Sequence, residues 1–429
     1  MTGERYDVAV IGGGIAGCAS AFELARRGLA VVLYEKGRIA GEQSGRNWGF
    51  VRQQGRDPHE IPLMMACNRI WRDLEATLEA DVEWRQLGVL YLADDAAEMA
   101  RYEAWLDRAR PYQLDSRLLG PREVEALVPG MARTWTGGLF TPSDGQADPV
   151  RATTAFARAA ERHGATIRTG CLVERIETAG GRVIGLRSER GTVTADAVVV
   201  AAGAWTSALL HRLGVSLPQL AVRSSVLRTA PGPVLPLPAT CTPRLGFRQR
   251  RDGSFNVALA ERHDHEIGLD SLRHLAAFWP SYRRNREGTV LRLGAKLLDD
   301  IEAALGGDAA LRRRLAADRV LDPAPDGALL ERALARFRAL FPGCAGLGVQ
   351  ETWASMIETT PDALPVLGEL PGLSGLVVAT GFSGHGFGMG PIAGRLTAEL
   401  IAEGRTSLDL SAFRFGRYAA GDYGPENAL

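Results

Sequence analysis

Cysteine is scarce and unpatterned in this chain. Cys18, Cys67, Cys171, Cys241 and Cys344 are odd in number and scattered through 429 residues, with no C-x-x-C pair. That excludes a disulfide framework and argues against a structural zinc site. Only 7 histidines are present. His263 and His265 form an H-x-H pair in a charged segment that reads as an exposed turn, with no third ligand close by, so no metal is expected. No uninterrupted apolar run reaches about 18 residues, which excludes an evident transmembrane helix. The first strand starts almost at Met1, leaving no room for a signal peptide. The expected location is cytoplasmic, at most peripheral to the inner face of the membrane. Charge of one sign is also lacking: 50 acidic and 50 basic side chains give a formal net charge of +0. Nothing in that balance attracts nucleic acid or an anionic surface. At this length and 46% hydrophobic content, two domains of a globular enzyme are expected.

Against these absences stands residues 7–36, DVAVIGGGIAGCASAFELARRGLAVVLYEK. A run of small and β-branched apolar residues over 7–11 reads as a parallel strand covered on both faces. Gly12, Gly14 and Gly17 follow with G-x-G-x-x-G spacing. The first suits a tight turn, the second a close approach of backbone to a pyrophosphate, and the third close helix–strand packing. The helix over 15–27 aims its first amides at the phosphates. The second strand, 30–34, ends at Glu35, placed to accept bonds from adenosine ribose hydroxyls. The unit therefore predicts an adenine dinucleotide site, with NAD and FAD equally open.

Further along, 61–80 reads as a helix, 84–93 as a strand, 96–110 and 121–128 as helices, and 135–142 as a strand. An amphipathic helix over 149–163 precedes short strands, and 197–202 is again a buried parallel-type strand. The segment 214–348 switches to antiparallel-looking strands at 221–229, 242–249 and 254–260, with helices at 301–319 and 327–340. The proline-rich 231–243 reads as a connecting loop. The fold class is thus mixed α/β and α+β, a Rossmann-like cofactor domain interleaved with an antiparallel-sheet substrate domain. Residues 1–82, 146–220 and 349–429 are assigned to the first and 83–145 and 221–348 to the second.

A third block, 375–403, opens on a buried strand over 376–380. It continues as GFSGHGFGMG, with five glycines in the ten residues 381–390, and a helix begun by Pro391. Such a loop lets backbone approach something flat or anionic, and amides at a helix start suit an electron-rich oxygen. A flavin ring supplies that oxygen, which decides for FAD over NAD.

With GGGIAG and Glu35, the segment Ser44-Gly45-Arg46-Asn47, VVVAAGAW, TPDALPVLG and ATGFSGHGFGMGP in this order, the chain resembles the D-amino acid oxidase and glycine oxidase-like flavoproteins. That group includes D-amino acid dehydrogenases and sarcosine or opine oxidase β-type subunits. The resemblance implies that Gly12, Gly14, Ile15, Ala16, Gly17, Glu35 and Lys36 hold the ADP half of FAD. Ser44, Arg46, Asn47 and Gly49 would run along the pyrophosphate and flavin edge. Val173 would bond adenine through its backbone, and Ala202, Gly203 and Trp205 would close over the cofactor. Gly384, His385, Gly386, Phe387, Gly388 and Met389 would present amides to the flavin carbonyl oxygen.

Two positions depart from the family. Ile357 stands where glycine oxidase-like members carry a carboxylate-binding arginine, five residues before Asp362. Another cation must then hold an amino acid carboxylate, and Arg52, Arg56, Arg223 and Arg248 are candidates. Ser355 stands where monomeric sarcosine oxidase-like members attach flavin through cysteine, so the FAD is expected to be non-covalent. His385 and Gln54 join Arg52 as candidate catalytic residues. The expected reaction is hydride transfer from a D-amino acid or N-substituted amino acid to flavin, giving an imine that hydrolyses to the oxo acid. Electrons would leave to oxygen, a quinone or a partner subunit. The alternatives are the catalytic β-type subunit of an opine or proline dehydrogenase-like complex, and a non-catalytic flavoprotein.

Overall fold

The computed structural model describes residues 4–260, 262–424 and 429. Strand Arg5–Ile11 sits between the parallel strands Gly191–Val200 and Val31–Tyr34. Leu376–Thr380 extends the sheet on one side and Thr166–Arg168 on the other, with Val366–Glu369 as an antiparallel edge. Alternate residues of the central strand feed two separate cores. Val8 and Val10 pack under helices Ile15–Arg26, Pro149–Arg162 and Gly386–Glu403, while Ala9 and Ile11 face Val173, Ile176, Val183 and Leu186. Burial on both faces is why the strand is an unbroken apolar run. Helices Ile15–Arg26 and Gly386–Glu403 touch backbone to backbone: a Cβ on Gly394 would lie 2.5 Å from Ala19 Cβ.

The second sheet has ten strands, built around Leu220–Thr229, Phe255–Leu259 and Leu245–Gln249. Its core face carries Phe247 and Phe255 against Phe337 and Phe341 of the segment around helix Gly327–Leu340. The sheet is not wholly antiparallel, since Ala239–Cys241 pairs in parallel with Val89–Ala93, and His263–Glu266 with Thr289–Arg292. The Ala239–Cys241 strand falls inside the stretch read as a loop.

Several boundaries differ from expectation for physical reasons. Strand Val349–Thr359, grouped above with the cofactor segments, pairs along Leu220–Thr229 in the second sheet. It carries the cavity-lining residues Ser355, Ile357, Glu358 and Thr359 across to the first domain. The 61–80 helix is two, Ile61–Arg72 and Leu74–Leu78. The 301–319 helix is also two, Lys296–Leu305 and Gly307–Ala317, broken where Gly307 takes φ +61°. The last long helix starts at Gly386 rather than Pro391, which lies inside it. Tertiary contact overrides the poor helix propensity of these glycines, because a Cβ on Gly390 would come within 2.6 Å of Ile15. His263 and His265 lie on a strand, not an exposed turn. His265 is buried, its Nδ1 2.8 Å from the Ala221 carbonyl and its Nε2 2.9 Å from Ser271 Oγ.

Candidate active site

A cavity of 1390 Å³ runs from the first glycine loop, between the two sheets, to the second glycine loop. At its dinucleotide end Gly12 has φ +115°, and a Cβ there would meet the Ala201 carbonyl at 2.2 Å. Gly17 is tighter still, its missing Cβ 2.0 Å from Gly12 O. Helix Ile15–Arg26 has no side-chain cap hydrogen bond at Gly14, though Ile15 N–H donates to Ser44 Oγ at 2.9 Å. Glu35 accepts from the N–H groups of Gly13 at 2.7 Å and Gly37 at 2.6 Å, which folds the loop around the carboxylate. Burial raises the Glu35 pKa, opposed by those two bonds. Lys36 lies 4.1 Å over the Trp205 ring and 3.2 Å from Glu42. Trp205 donates to Glu42, and Lys36 to the Asp318 carbonyl.

The far end is built on the loop 381–386, where Gly381, Ser383 and Gly384 all take positive φ. His385 is the N-cap of helix Gly386–Glu403, again without a side-chain cap bond. Facing it is the segment 50–57. Arg52 lies over the Tyr91 ring at 5.3 Å and donates to the Gln54 carbonyl. Arg56 is 3% exposed, yet its Nη1 has no partner. Burial, then the Arg52 charge, push the Arg56 pKa down to about 9, so it remains cationic at neutral pH. His385 Nδ1 lies 3.0 Å from Glu60 Oε1, and Glu60 is fully buried.

Of the predicted residues, Arg52, Arg56, Gly12, Gly14, Ile15, Ala16, Glu35, Lys36, Ser44, Arg46, Asn47, Gly49, Val173, Ala202, Gly203, Trp205, Gly384, His385, Gly386 and Phe387 line this one cavity. Several do not. Gly17 is a helix-packing residue. Gly388 is packed against Met64 and Val51, its carbonyl taken by Trp71 Nε1 at 2.8 Å and Cys67, and Met389 is fully buried beside it. Arg223 pairs with Asp264 at 2.8 Å on the second sheet, away from the cavity. Arg248 is buried with its Nε donating to the Trp48 carbonyl, and Gln54 accepts from Thr141 at 2.8 Å behind the wall. Among the described residues no group of three or more His, Cys, Asp or Glu is placed to hold a metal.

Three buried acids have no motif that announces them. Glu60 is one. Asp144 accepts from the N–H groups of Gln53 and Gln54 and from Asn68, and so shapes the arginine segment. Glu358, beside Ile357 in strand Val349–Thr359, accepts from Gly381 N–H at 3.1 Å and Thr380 Oγ1 at 3.0 Å and anchors the second glycine loop. Burial raises both Asp144 and Glu358 to about 7. A carboxyl raised in the fold stabilises while protonated, and that contribution is lost as pH rises through about 7. The melting temperature is therefore expected to fall from about pH 5 to about pH 7, and Glu358→Gln to flatten that fall. Scanning fluorimetry at both pH values checks this, and parallel slopes for the two proteins would contradict it.

The extended cavity, the two helix starts without side-chain caps and the glycine cradle fit an FAD molecule. The profile of the FAD dependent oxidoreductase (DAO) family matches residues 7–400. Human mitochondrial sarcosine dehydrogenase is 26% identical over 96% of this chain, which spans only 41% of that protein's length. Glycine oxidase of Geobacillus kaustophilus is 28% identical, covering 97% of this chain and 98% of its own. Among solved structures, L-amino acid deaminase from Proteus myxofaciens in complex with anthranilate superposes with a TM-score of 0.92 at 28% identity, over 97% of this chain and 96% of that one. With the glycine cradles, the cavity and the family profile in agreement over almost its whole length, the chain belongs to the FAD-dependent oxidoreductases of the DAO family.

Proposed function

We propose that this protein oxidises the C–N bond of an amino acid, passing a hydride to non-covalently held FAD and releasing an imine that hydrolyses to the oxo acid. The observation that carries this reading is the pair Arg52 and Arg56 on the wall opposite His385, with a buried Arg56 Nη1 that has no hydrogen-bond partner among the described residues. Two guanidinium groups on one cavity wall suit a substrate carboxylate and replace the anchor missing at Ile357. When bound, FAD supplies the hydride acceptor. The chain's own residues orient the substrate: Arg52 and Arg56 hold the carboxylate, and the 384–387 loop places amides at the developing negative charge. Leu275, Phe278 and Trp279 line the outer part of the cavity and suit an apolar side chain. The relative named L-amino acid deaminase adds L-amino acids to the D- and N-substituted classes expected from sequence.

An anaerobic screen of D-, L- and N-alkyl amino acids, following loss of flavin absorbance, tests the reading. Bleaching is expected with amino acids carrying apolar side chains and not with the matching simple amines. No bleaching by any of them would refute it. Ser355 at the cavity wall supports a dissociable cofactor, and acid precipitation is expected to leave a colourless pellet and yellow supernatant. A second reading, a dehydrogenase that hands electrons to a partner subunit, is favoured by the 25% identity with a sarcosine oxidase subunit beta from an Arthrobacter species. Oxygen uptake during turnover would count against it. No helix of the described residues is long and apolar enough to cross a membrane.

A further inference from the structure

His385 is held from behind by an acid that its loop does not supply. Glu60 stands immediately before helix Ile61–Arg72, is 0% exposed, and reaches His385 Nδ1 at 3.0 Å. Burial opposes the Glu60 charge, but His385, Arg56 and Arg52 keep its pKa below the usual carboxylate range. A carboxylate only accepts, so Nδ1 must carry the ring proton, and Nε2 is left as the lone-pair nitrogen of a side chain that lines the cavity. The same division of labour, an acid fixing the tautomer of a histidine base, recurs in hydrolase triads.

We propose that His385 Nε2 takes the proton from the ammonium group of an amino acid held by Arg52 and Arg56, with Glu60 as the positioning residue and the substrate carboxylate as the switch. This rests on the amino acid reading above. The ammonium N–H bond breaks with its electron pair left on nitrogen, and an N–H bond forms at Nε2. The neutral amine then loses its α-hydrogen as hydride to the FAD of the family. The substrate is oxidised by two electrons and FAD is reduced by two, and the iminium takes water to give oxo acid and ammonium.

The switch follows from what surrounds the ring. The charged groups facing it are Glu60 from the helix start and Arg56 and Arg52 from the 50–57 segment. Among the protein's own groups, burial and then the Arg56 charge hold the His385 pKa down to about 4, with Glu60 opposing them. A carboxylate seated on the guanidinium groups cancels their repulsion and leaves Glu60 to favour the imidazolium. The base therefore gains strength only when an amino acid, not a simple amine, is in place.

The FAD-loaded protein tests this with two readouts. The first is the pH dependence of anaerobic flavin reduction by a saturating amino acid. Glu60→Gln is expected to slow reduction at neutral pH tenfold or more and to move the acidic limb of the profile to lower pH, with substrate affinity within about threefold. Glu60→Asp should keep the limb of the parent protein. The second is the ring nitrogen NMR of His385, assigned by His385→Asn. Benzoate, a carboxylate without an amine, should move its titration upward by about one pH unit or more, and by less in Glu60→Gln. Flavin content and melting temperature identify variants that fail to fold. An unmoved acidic limb in Glu60→Gln, or a His385 titration indifferent to benzoate, overturns the inference alone. Bleaching by no amino acid overturns the functional reading as well.

Discussion

Arg56→Met is expected to lower kcat/KM for the best amino acid by about 100-fold to 10,000-fold while the folded protein keeps its FAD. The reasoning turns on one side chain with two opposed effects. Arg56 is buried, its Nη1 lacks a partner, and burial together with Arg52 already depresses its pKa to about 9. Burial strips the charge of its hydration, and the nearby Glu60 and Asp144 offset part of that cost. A substrate carboxylate would meet this guanidinium through charge-assisted bonds worth roughly 1.5–3 kcal/mol each. Losing about two of them gives the stated factor at about 1.4 kcal/mol per tenfold. Arg56→Lys should recover little, since an ammonium cannot reproduce the planar fork. Equal kcat/KM in Arg56→Met and parent, measured by flavin reduction, would remove Arg56 from the site.

Gly17→Ala is expected to yield a protein with little or no FAD and a clearly lower melting temperature. Its Cβ would lie 2.0 Å from Gly12 O and 3.1 Å from Gly12 C, both backbone atoms that cannot turn aside. Relief requires the helix Ile15–Arg26 to back away from strand Arg5–Ile11, which costs about 1–3 kcal/mol as overpacking and displaces the phosphate-facing amides. Gly14→Ala is the control. Its nearest neighbour is Ser44 Oγ at 3.0 Å, a side-chain atom that can rotate, so the fold should survive with weakened FAD. The ratio of flavin to protein absorbance and the melting curve read both effects. A Gly17→Ala protein as yellow and as stable as the parent would disprove the packing argument.

Much of the cofactor half was legible because its signals are local. A strand covered on both faces must be apolar throughout, a turn at φ +115° favours glycine, and a helix packed backbone to backbone needs small residues at fixed spacing. The same logic misled at 386–391. Those glycines looked like loop because their helix propensity is poor, and packing against Phe382, Met64 and Ile15 holds them in the helix. Strand Val349–Thr359 was misassigned because its pattern suits either sheet, and the pairing with Leu220–Thr229 decides. Gly388 and Met389 share the spacing of the cofactor loop yet turn into the helix interface.

From sequence alone, four arginines were equal candidates for the missing carboxylate anchor at Ile357. The fold leaves Arg52 and Arg56 on the cavity, ties Arg223 to Asp264 and buries Arg248 under Trp48. Glu60 and His385 are 325 positions apart, and no spacing rule links them. What the sequence by itself determined was the family, the dinucleotide cradle and the flavin loop, because short-range periodicity and glycine placement dictate them. Tertiary structure alone decided which charges face the cavity and which acid stands against His385, because burial and long-range contact bring together residues far apart in the chain.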